Sequence, residues 1–256
     1  MCVDLASGAA EIVRSARRDG MAVAAKSTPT DLVTEIDRAS ERWLLAEITG
    51  RRPDDAVLGE EGGDRDGSSG VRWLLDPIDG TVNFVLGMPY YAVSVAVEVD
   101  GFDTAAAVVN PVSGEVFHAR RGGGAYLGDE QLHGPRTVAL DQAVIATGFS
   151  YDATMRARQM AVAAQLVARV GDLRRFGAAA LDLCFLAAGR YDGYYEAGLQ
   201  PWDHAGGGLI AAEAGCATSG LHGKAPSGQL YAACGAALAP QFFALLESLG
   251  AGEAGS

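Results

Sequence analysis

One stretch limits what this chain can become more than any other: Trp73-Leu-Leu-Asp76-Pro77-Ile78-Asp79-Gly80-Thr81-Val-Asn83-Phe84. The mostly apolar residues 71–75 read as a buried strand that stops abruptly at Asp76. Pro77 fixes its own φ and disfavours helix at Asp76. Two carboxylates are thereby held on a stiff turn where both can reach one cation. Gly80 permits an unusual φ or a close backbone approach. Thr81 adds a hydroxyl near an expected helix start, where free backbone N–H groups attract anions. The stretch predicts one wall of a site for a metal ion and a phosphate.

Two further acidic elements lie elsewhere in the chain. Leu58-Gly59-Glu60-Glu61-Gly62-Gly63 follows what reads as the end of a short strand; alone, it is a solvated acidic turn. Pro201-Trp202-Asp203-His204-Ala205-Gly206-Gly207-Gly208 opens a small-residue helix expected to stop at Gly215; alone, Asp203 is an N-cap. Together the acids are harder to treat as surface. Were Glu60, Asp76, Asp79 and Asp203 to converge, they would repel strongly. Two like charges about 4 Å apart interact by roughly 4 kcal/mol at an effective dielectric near 20. Divalent cations reverse that penalty, and all-oxygen ligands select hard ions such as Mg²⁺. The sequence has no Cys/His zinc pattern.

With these residues the chain resembles the inositol monophosphatase family of Mg²⁺-dependent, lithium-sensitive sugar phosphatases, most closely its bacterial and actinobacterial branch. The matching pieces are Asp31-Leu-Val-Thr34-Glu-Ile-Asp37, Gly59-Glu60-Glu61-Gly62, Asp76-Pro-Ile-Asp79-Gly-Thr81-Val-Asn83-Phe84 and Trp202-Asp203-His-Ala205-Gly206, in the family's order over most of the chain. The resemblance implies a first metal on Glu60, Asp76 and the Ile78 carbonyl. It implies a second on Asp76, Asp79 and Asp203, and a third, weaker Mg²⁺ near Glu60. Asp37 and Thr81, with Glu60, are implied to orient and deprotonate the attacking water. Gly80 and Thr81 would offer backbone N–H groups to phosphate. Asp79, Asp203 and Glu196 would meet the substrate, Glu196 through its hydroxyls. Arg174 and the turn Gly177-Ala178-Ala179 would line the substrate's other side. Lys26 falls near the implied metals, either helping to hold the third ion or as a plain surface lysine. Glu61 is expected behind the ligands. Relatives often carry Ser or Thr where this chain has Ala178, which leaves the preference among sugars and inositols open. A homodimer and inhibition by Li⁺ are also implied. The apolar region 90–99 is one candidate dimer surface, although a buried strand explains it equally.

The chemistry expected of such residues is in-line attack by an activated water on a phosphate monoester, with no covalent phosphoenzyme. No P-loop is present, which disfavours a nucleotide kinase or NTPase. Inositol 1-phosphate is the leading substrate. The alternatives are fructose 1,6-bisphosphate, histidinol phosphate or adenosine 3′,5′-bisphosphate. A third reading is a non-enzymatic regulator of transcription and ribosome assembly, a role the resemblance attaches to some bacterial relatives. The net charge of −12 lacks the basic footprint of a nucleic-acid or anionic-membrane binder. Cys2, Cys184, Cys216 and Cys234 show no CxxC and read as small apolar residues in a reducing cytoplasm. The N-terminus, with Asp4 and Glu11 and no continuous apolar run, is not expected to act as a signal peptide. No run approaches the roughly 18 apolar residues of a membrane span.

With 49% hydrophobic residues the chain can bury a real core. Helices are expected over 3–18, 37–49, 151–170, 178–188 and from Pro240, with Asp37 as a cap. Strands are expected over 90–99, 104–109, 115–119, 143–147, 191–196, 216–219 and 230–234. Gly122-Gly-Gly124 reads as a hairpin turn rather than a phosphate loop. His118, His133 and His222 read as surface histidines, Trp202 as a packing anchor, and residues 250–256 as disordered. Long antiparallel strands followed by alternating strands and helices predict an α+β chain. The resemblance implies the sugar-phosphatase fold, a layered α-β-α-β-α sandwich. One half would span 1–139 and carry most metal ligands; the other, 140–256, would contribute Asp203 and substrate residues.

Overall fold

The computed structural model describes residues 1–16, 23–26 and 32–253. Ser27, Pro29 and Asp31, the last two residues of the expected 3–18 helix and the extreme C-terminus lie outside the described residues.

The chain opens with α1 (Cys2–Ala16), which buries Leu5, Ala9 and Val13 at helical spacing. A short antiparallel pair, β1 (Val23–Ala25) and β2 (Leu32–Thr34), leads to α2 (Glu35–Arg51). Asp37 was expected to cap α2. The cap is instead Thr34, and Asp37 stands three residues inside, returning a bond to the Thr34 N–H. That reciprocal arrangement satisfies two otherwise orphaned donors.

A seven-stranded sheet follows: β3 (Ala56–Gly59), β4 (Val71–Asp79), β5 (Ala92–Val99), β6 (Phe102–Val109), β7 (Val116–Arg120), β8 (Gly124–Leu127) and β9 (Glu130–Gln131). Only β3 and β4 run parallel. The short helix α3 (Thr81–Leu86) separates β4 from β5. The glycines at 122–124 make the expected β7–β8 turn, and Glu213 accepts the N–H groups of Gly122 and Gly124.

The second sheet has five strands in the order β11-β10-β12-β14-β13: β10 (Val144–Thr147), β11 (Asp172–Arg174), β12 (Gly193–Glu196), β13 (Cys216–Ser219) and β14 (Tyr231–Gly235). Four helices accompany it: α4 (Ala153–Leu166), α5 (Ala179–Ala187), α6 (Pro201–Glu213) and α7 (Ala239–Ser248). The expected 151–170 helix ends sooner, at Leu166, and β11 was not foreseen.

Five layers result. One core joins α1 and α2 to the outer face of the large sheet. A second joins that sheet's inner face through α5 and α6 to the small sheet. A third joins the small sheet to α4 and α7. Burial in β5 explains its sequence. Val93, Val95 and Val97 face the first core, while Ala92 and Ala96 face the second. The alternation is large against small, not apolar against polar, because both faces are covered. As a central strand between β4 and β6, β5 is no dimer surface. At the C-terminus Ala251 is buried, so the expected disorder does not begin at residue 250. His222 is exposed, as expected, and its backbone N–H donates to Glu247.

Candidate active site

The large sheet's β4 ends in an irregularity. Asp76 pairs with Ser94 and Asp79 with Ala92, so the register slips between the two acids. Pro77, which has no N–H for the ladder, sits in that slip. The slip turns both carboxylates into one cleft of about 400 Å³, which Ile78, Gly80 and Thr81 also line. At Gly80 the backbone turns through φ 89°, where a Cβ would stand 3.1 Å from both the Gly177 carbonyl and the Ala178 Cβ.

Thr81 Oγ1 lies 3.1 Å from Asp37 Oδ1 and 3.0 Å from the Ile78 carbonyl. Its one proton serves one acceptor at a time, leaving lone pairs for a further donor. Asp37 is fully buried, which pushes its carboxyl up, while the Thr34 and Thr81 bonds pull it back.

Glu60 enters from the loop after β3, and Asp203 from the first turn of α6. Asp203 is the third residue inside that helix; it accepts the Gln200 N–H at 2.6 Å, and Gln200 is the cap. Burial first, then the charges of Glu60, Asp79 and Asp203, push Asp76 far above the usual carboxylate range. Burial raises Asp79 to about 7, against three backbone N–H donors. Asp203 is raised by burial and by Glu60, Asp79 and Glu196. These acids therefore sit within each other's fields.

Asp79 also does something the sequence did not disclose. Its two oxygens accept the N–H groups of Ala179, Ala180 and Leu181 at 2.9, 2.8 and 3.2 Å. The first turn of α5, whose N-cap residue Ala178 has no hydrogen-bonding side chain, is thus capped from β4. The missing cap at position 178 was the available signal.

Glu196, at the end of β12, lines the cleft and accepts the Tyr194 hydroxyl at 2.7 Å. Arg174 does not reach it. Its guanidinium pairs with exposed Asp172 at 2.5 Å, and the neighbouring Arg175 lines the cleft instead. Gly177 and Ala179 are in the lining, and buried Ala178 packs behind it against Gly80. Lys26 bonds Glu60 at 2.7 Å and Glu61 at 2.5 Å, so it is no plain surface lysine. Burial lowers its ammonium, but the two glutamates outweigh this and hold it above its ordinary value. Glu61 stands beside Glu60 on the same ammonium. Trp202 lines the cleft, whereas His204 is held against Tyr231 and its pKa is driven to about 4 by burial.

The donor set fits a hard cation. It offers carboxylates and one carbonyl, and Asp76 Oδ1 is buried without a hydrogen-bond partner. The acids do not close into a cage; among the described residues no three acidic, histidine or cysteine side chains meet as a finished ligand group. A larger apolar hollow of about 580 Å³ lies over the outer face of the large sheet, remote from these acids.

Residues 1–250 match the Inositol monophosphatase family. The chain is 48% identical over 230 residues to an inositol-1-monophosphatase of Mycobacterium leprae, covering 82% of this chain and 79% of the relative. It is 42% identical over 222 residues to Nus factor SuhB of Pasteurella multocida, covering 85% and 83%. The structure superposes on the crystal structure of extragenic suppressor protein suhB from Bartonella henselae with a TM-score of 0.90 at 33% identity, covering 96% of each chain.

Proposed function

Since the chain belongs to the inositol monophosphatase family, we propose that it is a Mg²⁺-dependent phosphatase that releases phosphate from inositol 1-phosphate. One observation carries this reading: acids from remote segments share a single cleft, against only Lys26 and Arg175 as bases among the described residues. Glu60, Asp76, Asp79, Asp203 and the Ile78 carbonyl would hold two or three cations. Such cations neutralise the phosphate, lower the pKa of water and stabilise the leaving alkoxide. Thr81, steadied by buried Asp37, orients the attacking water. Gly80 and Thr81 receive the phosphate oxygens. Glu196, with Arg175 nearby, receives the polyol hydroxyls. The loose transition state of phosphoryl transfer puts most of the work into this positioning.

The same reading makes the protein a cytoplasmic homodimer inhibited by Li⁺. All four cysteines are free, and no described helix is long and apolar enough to cross a membrane. Exposed Leu86 and Met88 offer apolar surface for a second copy. The relative named Nus factor keeps a regulatory role in view, but the buried, mutually repelling acids have no use in it.

Phosphate release from a panel of esters, with and without Mg²⁺, tests the proposal. Inositol 1-phosphate should give the highest kcat/KM, ahead of fructose 1,6-bisphosphate, histidinol phosphate and adenosine 3′,5′-bisphosphate. Negligible release from every ester would overturn it in favour of the regulatory role.

A further inference from the structure

Glu41 lies on α2 with its side chain only 4% exposed. One oxygen accepts the Glu61 N–H at 2.8 Å and the other the Gly63 N–H at 2.8 Å. Among the described residues it forms no ion pair, and the negative charges of Glu61 and Asp64 act on it. A buried carboxylate facing like charges is a poor choice for stability alone. What it provides is two acceptor oxygens side by side; an amide offers only one.

The surrounding backbone is shaped to this carboxylate. A Cβ at Gly59 would come within 2.4 Å of Glu41 Oε2, and one at Gly63 within 2.7 Å of Oε1. Glu60 sits between these glycines, its own N–H donating to the Leu75 carbonyl at 3.2 Å. Gly59 N–H donates to Asp64 at 3.2 Å. Of these restraints, Leu75 holds the loop from β4 by its backbone carbonyl, and Glu41 is the side chain that reaches the loop's N–H groups from another element.

We infer that Glu41 is a positioning residue: by gripping two N–H groups of the 59–63 loop from α2, it presents Glu60 to the cleft in the orientation a divalent cation requires. The inference rests on the phosphatase reading above. It concerns a residue that touches neither substrate nor reacting atoms. Glu213 provides the control, because its carboxylate grips Gly122 and Gly124 in the same two-pronged way, away from the cleft.

The test is Mn²⁺ binding followed by the EPR signal of the free ion, with phosphate release measured beside it. Glu41→Gln should raise the dissociation constant roughly tenfold, the scale on which partners of metal ligands act. At saturating metal its kcat should stay within about twofold of wild type, since the ligands themselves remain. Glu41→Asp keeps both acceptors on a shorter stem and guards against a folding failure; it should show a smaller rise. Glu213→Gln should leave Mn²⁺ affinity unchanged. Wild-type affinity in both Glu41 variants, or an equal loss in Glu213→Gln, would overturn the inference alone. A wild-type protein that binds no Mn²⁺ would remove the metal-dependent reading and the inference with it.

Discussion

Asp79 carries two loads on one carboxylate. It lines the cleft at the end of β4 and caps α5 with both oxygens. The two loads separate by substitution. Asp79→Asn keeps one of the two acceptors and loses the charge, so its metal-free melting temperature should fall between those of wild type and Asp79→Ala. Phosphate release and the Mg²⁺-induced rise in melting temperature should be lost, with turnover down roughly 100-fold or more. Asp79→Ala strips the cap as well and should cost a further ~1 kcal/mol in urea unfolding. Equal melting temperatures for the two variants would show that the cap contributes nothing. Glu196→Gln should raise KM for the polyol ester while leaving the half-saturating Mg²⁺ concentration in place. The acids near Asp76 were legible because proline and glycine advertise a rigid turn. Glu41 was not, because a lone acid inside an amphipathic helix looks solvated. Arg174 and Arg175 could not be told apart by type; Arg174 closes β11, and Arg175 lies just past it.

Among the elements, α6 decides how closely the two sheets approach. Gly206 meets Ser94 and Val108 of the large sheet, Gly207 meets Ala180 and Leu183 of α5, and Gly208 meets the Tyr231 hydroxyl of the small sheet. Three successive glycines weaken a helix by roughly 1 kcal/mol each, so packing must supply what propensity withholds. Gly207→Ala would gain helix propensity yet place a methyl 2.5 Å from the Ala180 carbonyl oxygen. We expect net destabilisation of about 1–3 kcal/mol in urea unfolding; an unchanged or higher midpoint would refute the packing argument. The glycine run and the helix around it were visible in the sequence, as was the long hydrophobic strand β5. The brief strands β1, β2 and β11 were not, because residues as few as three carry too little pattern and are defined by their partners.

For the molecule as a whole, the acid cluster ties stability to pH and to metal. Asp79 moves from an ordinary 3.8 to about 7 in the folded chain, chiefly through burial. The folded state therefore holds a proton that the unfolded state releases. That contribution is complete below the unfolded value and drains away as pH rises through about 7. Asp76 and Asp203 shift the same way. In calorimetry without metal, the melting temperature should fall as pH climbs from about 6 to about 8. Mg²⁺ should restore it, with the larger gain at the higher pH, because cation and proton compete for the same oxygens. A metal-free protein that becomes more stable over that interval would contradict this.

The bare midline of α6 also bears on how such a chain can diverge. A keel with no room for even a methyl group on three sides cannot be re-carved without prising the hull apart. Novel specificity therefore has to come from the gunwales, the loops around Ser150 and Arg175 that rim the cleft, while the timber beneath stays frozen.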